Sequence, residues 1–143
     1  MTPPPLTPIR VLLVDDHELV LESWKLLLDN DKRFTVIAQC SNGEDAVEQA
    51  KLLTPDVILM DINMEPINGF EATQRIASAT PTIKIIGVSA NNNPRYATKL
   101  LKLGGKGFVT KTSAFEELKT AIQKVHLGED YICHELRDKL SEM

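Results

Sequence analysis

The sequence predicts an α/β fold, a doubly wound parallel sheet of five strands with five helices on its two faces. Three observations carry that expectation. Short apolar or β-branched runs recur at Ile9–Val14, 34–39, 57–60, 83–88 and 107–109, and such runs suit strands buried on both faces. Segments with helical spacing separate them, and strict alternation of the two kinds is the pattern of a parallel sheet with right-handed crossovers. Several runs also end on reactive side chains: Asp15-Asp16, Asp61, Ser89 and, just beyond the last run, Lys111. Ligands of open α/β sheets bind beyond the carboxyl ends of the strands. These side chains are therefore expected at one edge, although Asp15 and Lys111 stand 96 positions apart.

Each element has its own local reason. Residues 1–8 hold four prolines and no periodicity, which predicts a loose, extended lead-in. After the first strand, a helix is expected over 17–30, with Val20, Ser23, Trp24, Leu27 and Leu28 on one stripe. Ser41 with Glu44 three positions on reads as the capped start of a second helix that runs to Leu53 and stops at Thr54-Pro55. Asn68-Gly69 punctuates the loop before a helix over 70–78, which Pro81 closes. Asn91-Asn92-Asn93-Pro94 is a polar loop with a helix start, and Gly104-Gly105 ends that helix. Thr112-Ser113 with Glu116 is expected to cap the last helix, which Gly128 terminates after Leu127. The reading divides the chain into a flexible start (1–8), one domain (9–128) and a tail (129–143), whose residues 131–143 read either as a short polar helix or as the start of a linker.

Composition narrows the function classes. A chain of 143 residues, 43% apolar and 25% charged, fits one domain with an ordinary core. A net charge of −4 argues against a nucleic-acid surface within these residues. No apolar run approaches the roughly 20 residues that span a bilayer, and the N-terminus has no secretory pattern, so a cytoplasmic location is expected. Cys40 and Cys133 read as reduced thiols, and the three histidines show no zinc-ligand spacing with them.

The motifs resemble those of a known family. Asp15-Asp16-His17 follows the first strand, Met60-Asp61-Ile62-Asn63-Met64 with Gly69 follows the third, Ser89-Ala90 the fourth, and Gly107-Phe108-Val109-Thr110-Lys111 spans the fifth. Together and in this order they resemble the receiver domain of two-component response regulators, most closely the subfamily with a C-terminal LuxR-type helix-turn-helix. The resemblance covers about residues 9–127. One departure is Glu65, which stands where the family usually has proline, with Pro66 following it.

The resemblance implies a flavodoxin-like strand order of 2-1-3-4-5 and a set of roles. Asp61 is implied as the phosphoacceptor for a phosphohistidine donor. Asp15, Asp16, Asp61 and the carbonyl of Asn63 are implied as holding Mg2+, with Mn2+ as an alternative. Ser89 and Lys111 are implied as phosphate contacts, Ser89 and Phe108 as a switch pair, and Asn63 and Asn91 as residues that tune the lifetime of the acyl phosphate. A histidine kinase or phosphotransfer protein is the implied partner, with a homodimer also open. DNA is reached only through an output domain outside this chain. Such a module is a switch rather than an enzyme acting on a metabolite. A stand-alone receiver acting through protein contacts is the other form the reading leaves open.

Plainer explanations exist for each residue alone. An Asp-Asp pair after a strand serves often enough as a helix cap, a lone lysine as a solvated charge, and Phe108 as a core residue. Trp24, Leu19, Leu21 and Leu26 either mark a partner surface beside the site or, the favoured reading, thicken the core. A haloacid dehalogenase-like phosphatase needs a general acid two residues after the nucleophile, where Asn63 stands. Asp15-Asp16 would repel the phosphate of FMN in a flavodoxin-like module, and a P-loop NTPase lacks its Gly-Lys-Ser/Thr loop here.

Overall fold

The computed structural model describes residues 7–142. Most of the lead-in expected over 1–8 thus lies outside the described residues, as does position 143. The elements run β1 (Ile9–Val14), α1 (Glu18–Asp29), β2 (Phe34–Cys40), α2 (Gly43–Leu53), β3 (Val57–Asp61), α3 (Gly69–Ala79), β4 (Lys84–Ser89), α4 (Pro94–Lys102), β5 (Gly107–Thr110), α5 (Phe115–His126), β6 (Tyr131–Ile132) and α6 (His134–Ser141). All strand pairs are parallel, and the order is β2-β1-β3-β4-β5-β6.

The central strands are buried on both faces because their residues alternate between two cores. Val11 and Leu13 of β1, Val57 and Leu59 of β3, and Ile86 and Val88 of β4 join Leu21 and Leu28 of α1 and Leu118, Ile122 and Val125 of α5. Leu12 and Val14, Ile58 and Met60, and Ile85 face the other way onto Ala46 and Ala50 of α2 and Ala72 and Ile76 of α3. The order reverses direction between β1 and β3. That is the switch point at which α/β sheets open a crevice beyond their carboxyl ends.

The structure departs from the sequence reading at four places. The sheet has six strands rather than five among the described residues: Tyr131 and Ile132 of the expected tail pair with Gly107 and Phe108, and α6 follows them. The α2 cap is Asn42, not Ser41; its side chain accepts from the Asp45 N–H at 2.8 Å. The Thr112-Ser113 cap of α5 is not formed, because both hydroxyls bond Thr110 at 3.1 Å and the N-cap is Ala114. On α1 the buried line is Leu21 and Leu28 with Trp24 half-buried, whereas Leu19 and Leu26 are 77% and 64% exposed. Those two are seven residues apart, so at 3.6 residues per turn they share one face, and that face points to solvent instead of thickening the core.

Candidate functional site

Three strand ends deliver the site. β1 stops at Val14 and places Asp15 beside the end of β3, where Asp61 is the last strand residue. Both carboxylates are fully buried, while Asp16 remains exposed. Ligand-capable atoms of Asp15, Asp16, His17 and Asp61 lie within 4.8 Å of one another. Lys111, one residue past β5, reaches across with Nζ 2.9 Å from Asp15 Oδ2 and 3.5 Å from Asp61 Oδ1. Gly69 lets the β3–α3 loop close over the site. A Cβ there would stand 2.3 Å from the Asp61 carbonyl oxygen, so any side chain displaces the acid's own backbone.

The electrostatics are those of crowded acids short of positive charge. Burial pushes the Asp61 carboxyl up to about 6, and the neighbouring charge of Asp15 adds to it, with Lys111 pulling the other way. Asp61 Oδ1 accepts the Asn63 N–H at 3.2 Å, but its buried Oδ2 has no hydrogen-bond partner. Burial pulls the Lys111 ammonium down, yet its contacts with Asp15 and Asp61 outweigh this and hold it above its ordinary value. His17 Nδ1 lies 2.8 Å from Asp15 Oδ1 and 3.0 Å from Asp16 Oδ1. The hydrogen bond to Asp15, then the charges of Asp15 and Asp16, raise the imidazole's pKa.

The remaining residues are distributed around this cluster. Ser89 ends β4, fully buried, on the strand whose Val88 pairs with Asp61. Its Oγ accepts the Asn91 N–H at 3.0 Å, and its carbonyl accepts the Lys111 N–H at 2.8 Å. Asn91 is exposed, and its side-chain oxygen accepts the Asn93 N–H at 2.7 Å, so that group serves its own loop. Asn63 is exposed at the rim. Phe108 is fully buried in the core below Ser89 rather than at the acid cluster. Of the acids, Asp16 lines a cleft of about 610 Å³ together with Asn63, Glu65, Asn68, Tyr96 and Lys99, among others. The sequence reading assigns no role to His17; its position directly after Asp16 was the available signal.

Comparison with known proteins decides the family. Residues 11–123 match the response regulator receiver domain. The chain belongs to that family. The response regulator GacA of Pseudomonas viridiflava is 36% identical over 133 residues, covering 93% of this chain and 62% of that protein. The response regulator UvrY of Escherichia coli K12 is 37% identical, with 93% and 61% covered. The chain thus spans about three fifths of the length of these curated relatives. A LuxR-family two-component response regulator from Aurantimonas sp. SI85-9A1 superposes with a TM-score of 0.91 at 27% identity, covering 95% of this chain and 97% of that one. The LuxR-type resemblance and the parallel α/β receiver fold are thereby established. Receiver domains are in general switches, bind Mg2+ at an acidic pocket and interact with histidine kinases; this receiver carries the acidic cluster. No helix among the described residues is long and apolar enough to cross a membrane.

Proposed function

We propose that this receiver takes a phosphoryl group onto Asp61 from a histidine kinase or phosphotransfer protein, and uses it to control transcription through a DNA-binding output domain. The observation that carries the reading is Asp61 Oδ2, a buried oxygen with no hydrogen-bond partner, on the residue that precedes Ile62 and Asn63 in the lining of the cleft. Such an atom is costly to keep unless a ligand completes it.

A carboxylate oxygen of Asp61 attacks the phosphorus of the donor. The P–N bond of a phosphohistidine breaks, its electron pair returns to the imidazole, which takes up a proton, and an acyl phosphate remains on Asp61. Lys111 Nζ, already within 3.5 Å of Asp61, meets the phosphoryl oxygens as a point charge. The buried Ser89 hydroxyl donates to one of them. Water later hydrolyses the acyl phosphate and restores the carboxylate, with Asn63 at the rim tuning that rate and Asn91 acting on it through the loop it holds by accepting the Asn93 N–H.

The donor set fits a hard divalent cation, because the clustered acids supply oxygens and Asp61 Oδ2 is unsatisfied. Asp16, Asp61 and the Asn63 carbonyl would hold Mg2+ directly, and Asp15 through water; Mn2+ suits the same oxygens. When bound, the ion neutralises the acids and the incoming phosphoryl charge. We assign residues 9–128 to the receiver, 1–8 to a lead-in and 129–143 to a tail or the start of a linker, in a cytoplasmic protein for which a homodimer is an open alternative.

Intact-protein mass after incubation with phosphoramidate tests the core of this reading. One phosphoryl group gained only with Mg2+, and lost in Asp61→Asn, is the expected result. Equal uptake by the variant would refute it.

A further inference from the structure

The His17 imidazole has no packing or capping task. His17 is the N-cap of α1, yet its side chain makes no cap hydrogen bond. It belongs to neither core, and 63% of the side chain is exposed. The acid cluster is what holds it. Asp15 Oδ1 accepts the His17 N–H at 2.9 Å and lies 2.8 Å from Nδ1, while Asp16 Oδ1 lies 3.0 Å from the same nitrogen. One imidazole and three carboxylates thus offer a ligand atom each, all within 4.8 Å of one another. Lys111 contacts Asp15 Oδ2 and Asp61 Oδ1, which leaves Asp15 Oδ1 and Asp61 Oδ2 for a second cation. Asp61 is fully buried, and its Oδ2 has no hydrogen-bond partner.

An all-oxygen pocket suits Mg2+, whereas an imidazole nitrogen suits zinc and its neighbours in the transition series. Resting on the phosphoacceptor reading of the same pocket, we propose that His17 Nδ1 joins Asp15, Asp16 and Asp61 as a ligand of a zinc-class cation, and that this cation closes the pocket to the phosphoryl group. The spacing suits it. Ligand atoms at about 2.0 Å from a tetrahedral zinc stand about 3.3 Å apart, close to the 2.8 and 3.0 Å between Nδ1 and its two acid oxygens. Binding exchanges the Nδ1 hydrogen, released to solvent as a proton, for the metal. Four protein ligands complete a tetrahedron and leave no open position, and Asp61 is then a ligand instead of a nucleophile. Mg2+ keeps positions that substrate phosphates can take. The two cations compete for Asp16 and Asp61, and His17 is the group that tells them apart. Cys40 and Cys133 take no part, since each is buried in a core.

Calorimetric titration of the full chain with Zn2+ and, separately, with Mg2+ tests the ligand set without any phosphodonor. His17→Ala should lower the preference for Zn2+ over Mg2+, read as the ratio of the two Kd values, by about 100-fold, no less than the loss of an outer-shell partner costs at such sites. Asp61→Asn should weaken Zn2+ binding too, which a surface site on His126 or His134 would not show. A ratio unmoved by His17→Ala, or Zn2+ binding indifferent to Asp61→Asn, overturns the site. Co2+ reports the geometry: the intense visible absorption of a four-coordinate ion is expected, and the pale spectrum of a six-coordinate one overturns the closed pocket. Intact mass after phosphoramidate and Mg2+, with and without one equivalent of Zn2+, reads the consequence. Uptake that Zn2+ suppresses is expected, and equal uptake overturns the closure alone. No uptake with Mg2+ by itself overturns the phosphoacceptor reading and the closure with it, whereas the calorimetric ratio decides the His17 ligand independently.

Discussion

Asp61 and Glu117 are both carboxylates withdrawn from water, and their surroundings differ in kind. Glu117, with its side chain 15% exposed, has a hydroxyl and a backbone N–H on one oxygen, and those donors pin α6 to α5. Asp61, at 0% exposure, has one N–H at 3.2 Å and the Lys111 ammonium at 3.5 Å on one oxygen, an acid beside it and a second oxygen with no hydrogen-bond partner. The first acid is spent on structure. The second is held unfinished, and a fold that keeps such a group does so where a ligand is to complete it.

The contrast predicts opposite outcomes when each region is disturbed. The largest effect belongs to Asp61→Asn, which should abolish phosphoryl uptake while leaving the fold intact or firmer in metal-free buffer. Removing Leu136 attacks the other region: Leu136→Ala should cost about 3 kcal/mol by urea denaturation, since the side chain is fully buried beside Cys133. Phosphoryl uptake should survive that change wherever the chain remains folded.

A pH dependence should separate the two acids further. Asp61's carboxyl is raised to about 6 in the folded chain, above its unfolded value, so the folded state binds the extra proton between about pH 4 and 6. Metal-free stability attributable to this group therefore falls as pH rises through that window, by on the order of 2 kcal/mol. Urea midpoints in EDTA should show this loss for the wild type and not for Asp61→Asn. Glu117→Ala should have the smallest effect of the four, about 1–2 kcal/mol from two stranded donors. A Glu117→Ala change that instead stabilised the chain would place Glu117 in the same class as Asp61 and dissolve the comparison.

How much of this was legible in the sequence follows from which signals are local. Val14-Asp15-Asp16 and Met60-Asp61 carry the site because a run buried on both faces must end where the sheet opens, and the acids stand at that end. The Asn42 cap differs from the Ser41 expectation by one position, since both residue types cap and only the backbone chooses between them. β6 left no trace, because two residues, Tyr131-Ile132, show no period; they become strand only by meeting the free edge of β5. Glu117 reads as an ordinary helical acid until Tyr131 and His134 are folded against it. Lys111 among Asp15 and Asp61 was foreseeable from the family pattern, whereas the unsatisfied Asp61 Oδ2 is a property of three-dimensional packing alone.

The most direct test is to locate the phosphoryl group. Protein phosphorylated with phosphoramidate and Mg2+ is reduced with borohydride, which converts an aspartyl phosphate to homoserine, and then digested and sequenced by mass spectrometry. Homoserine at position 61 and nowhere else is the predicted result. Homoserine at Asp15 or Asp16, or a stable phosphoryl group on His17, would contradict the assignment of the unfinished acid as the acceptor.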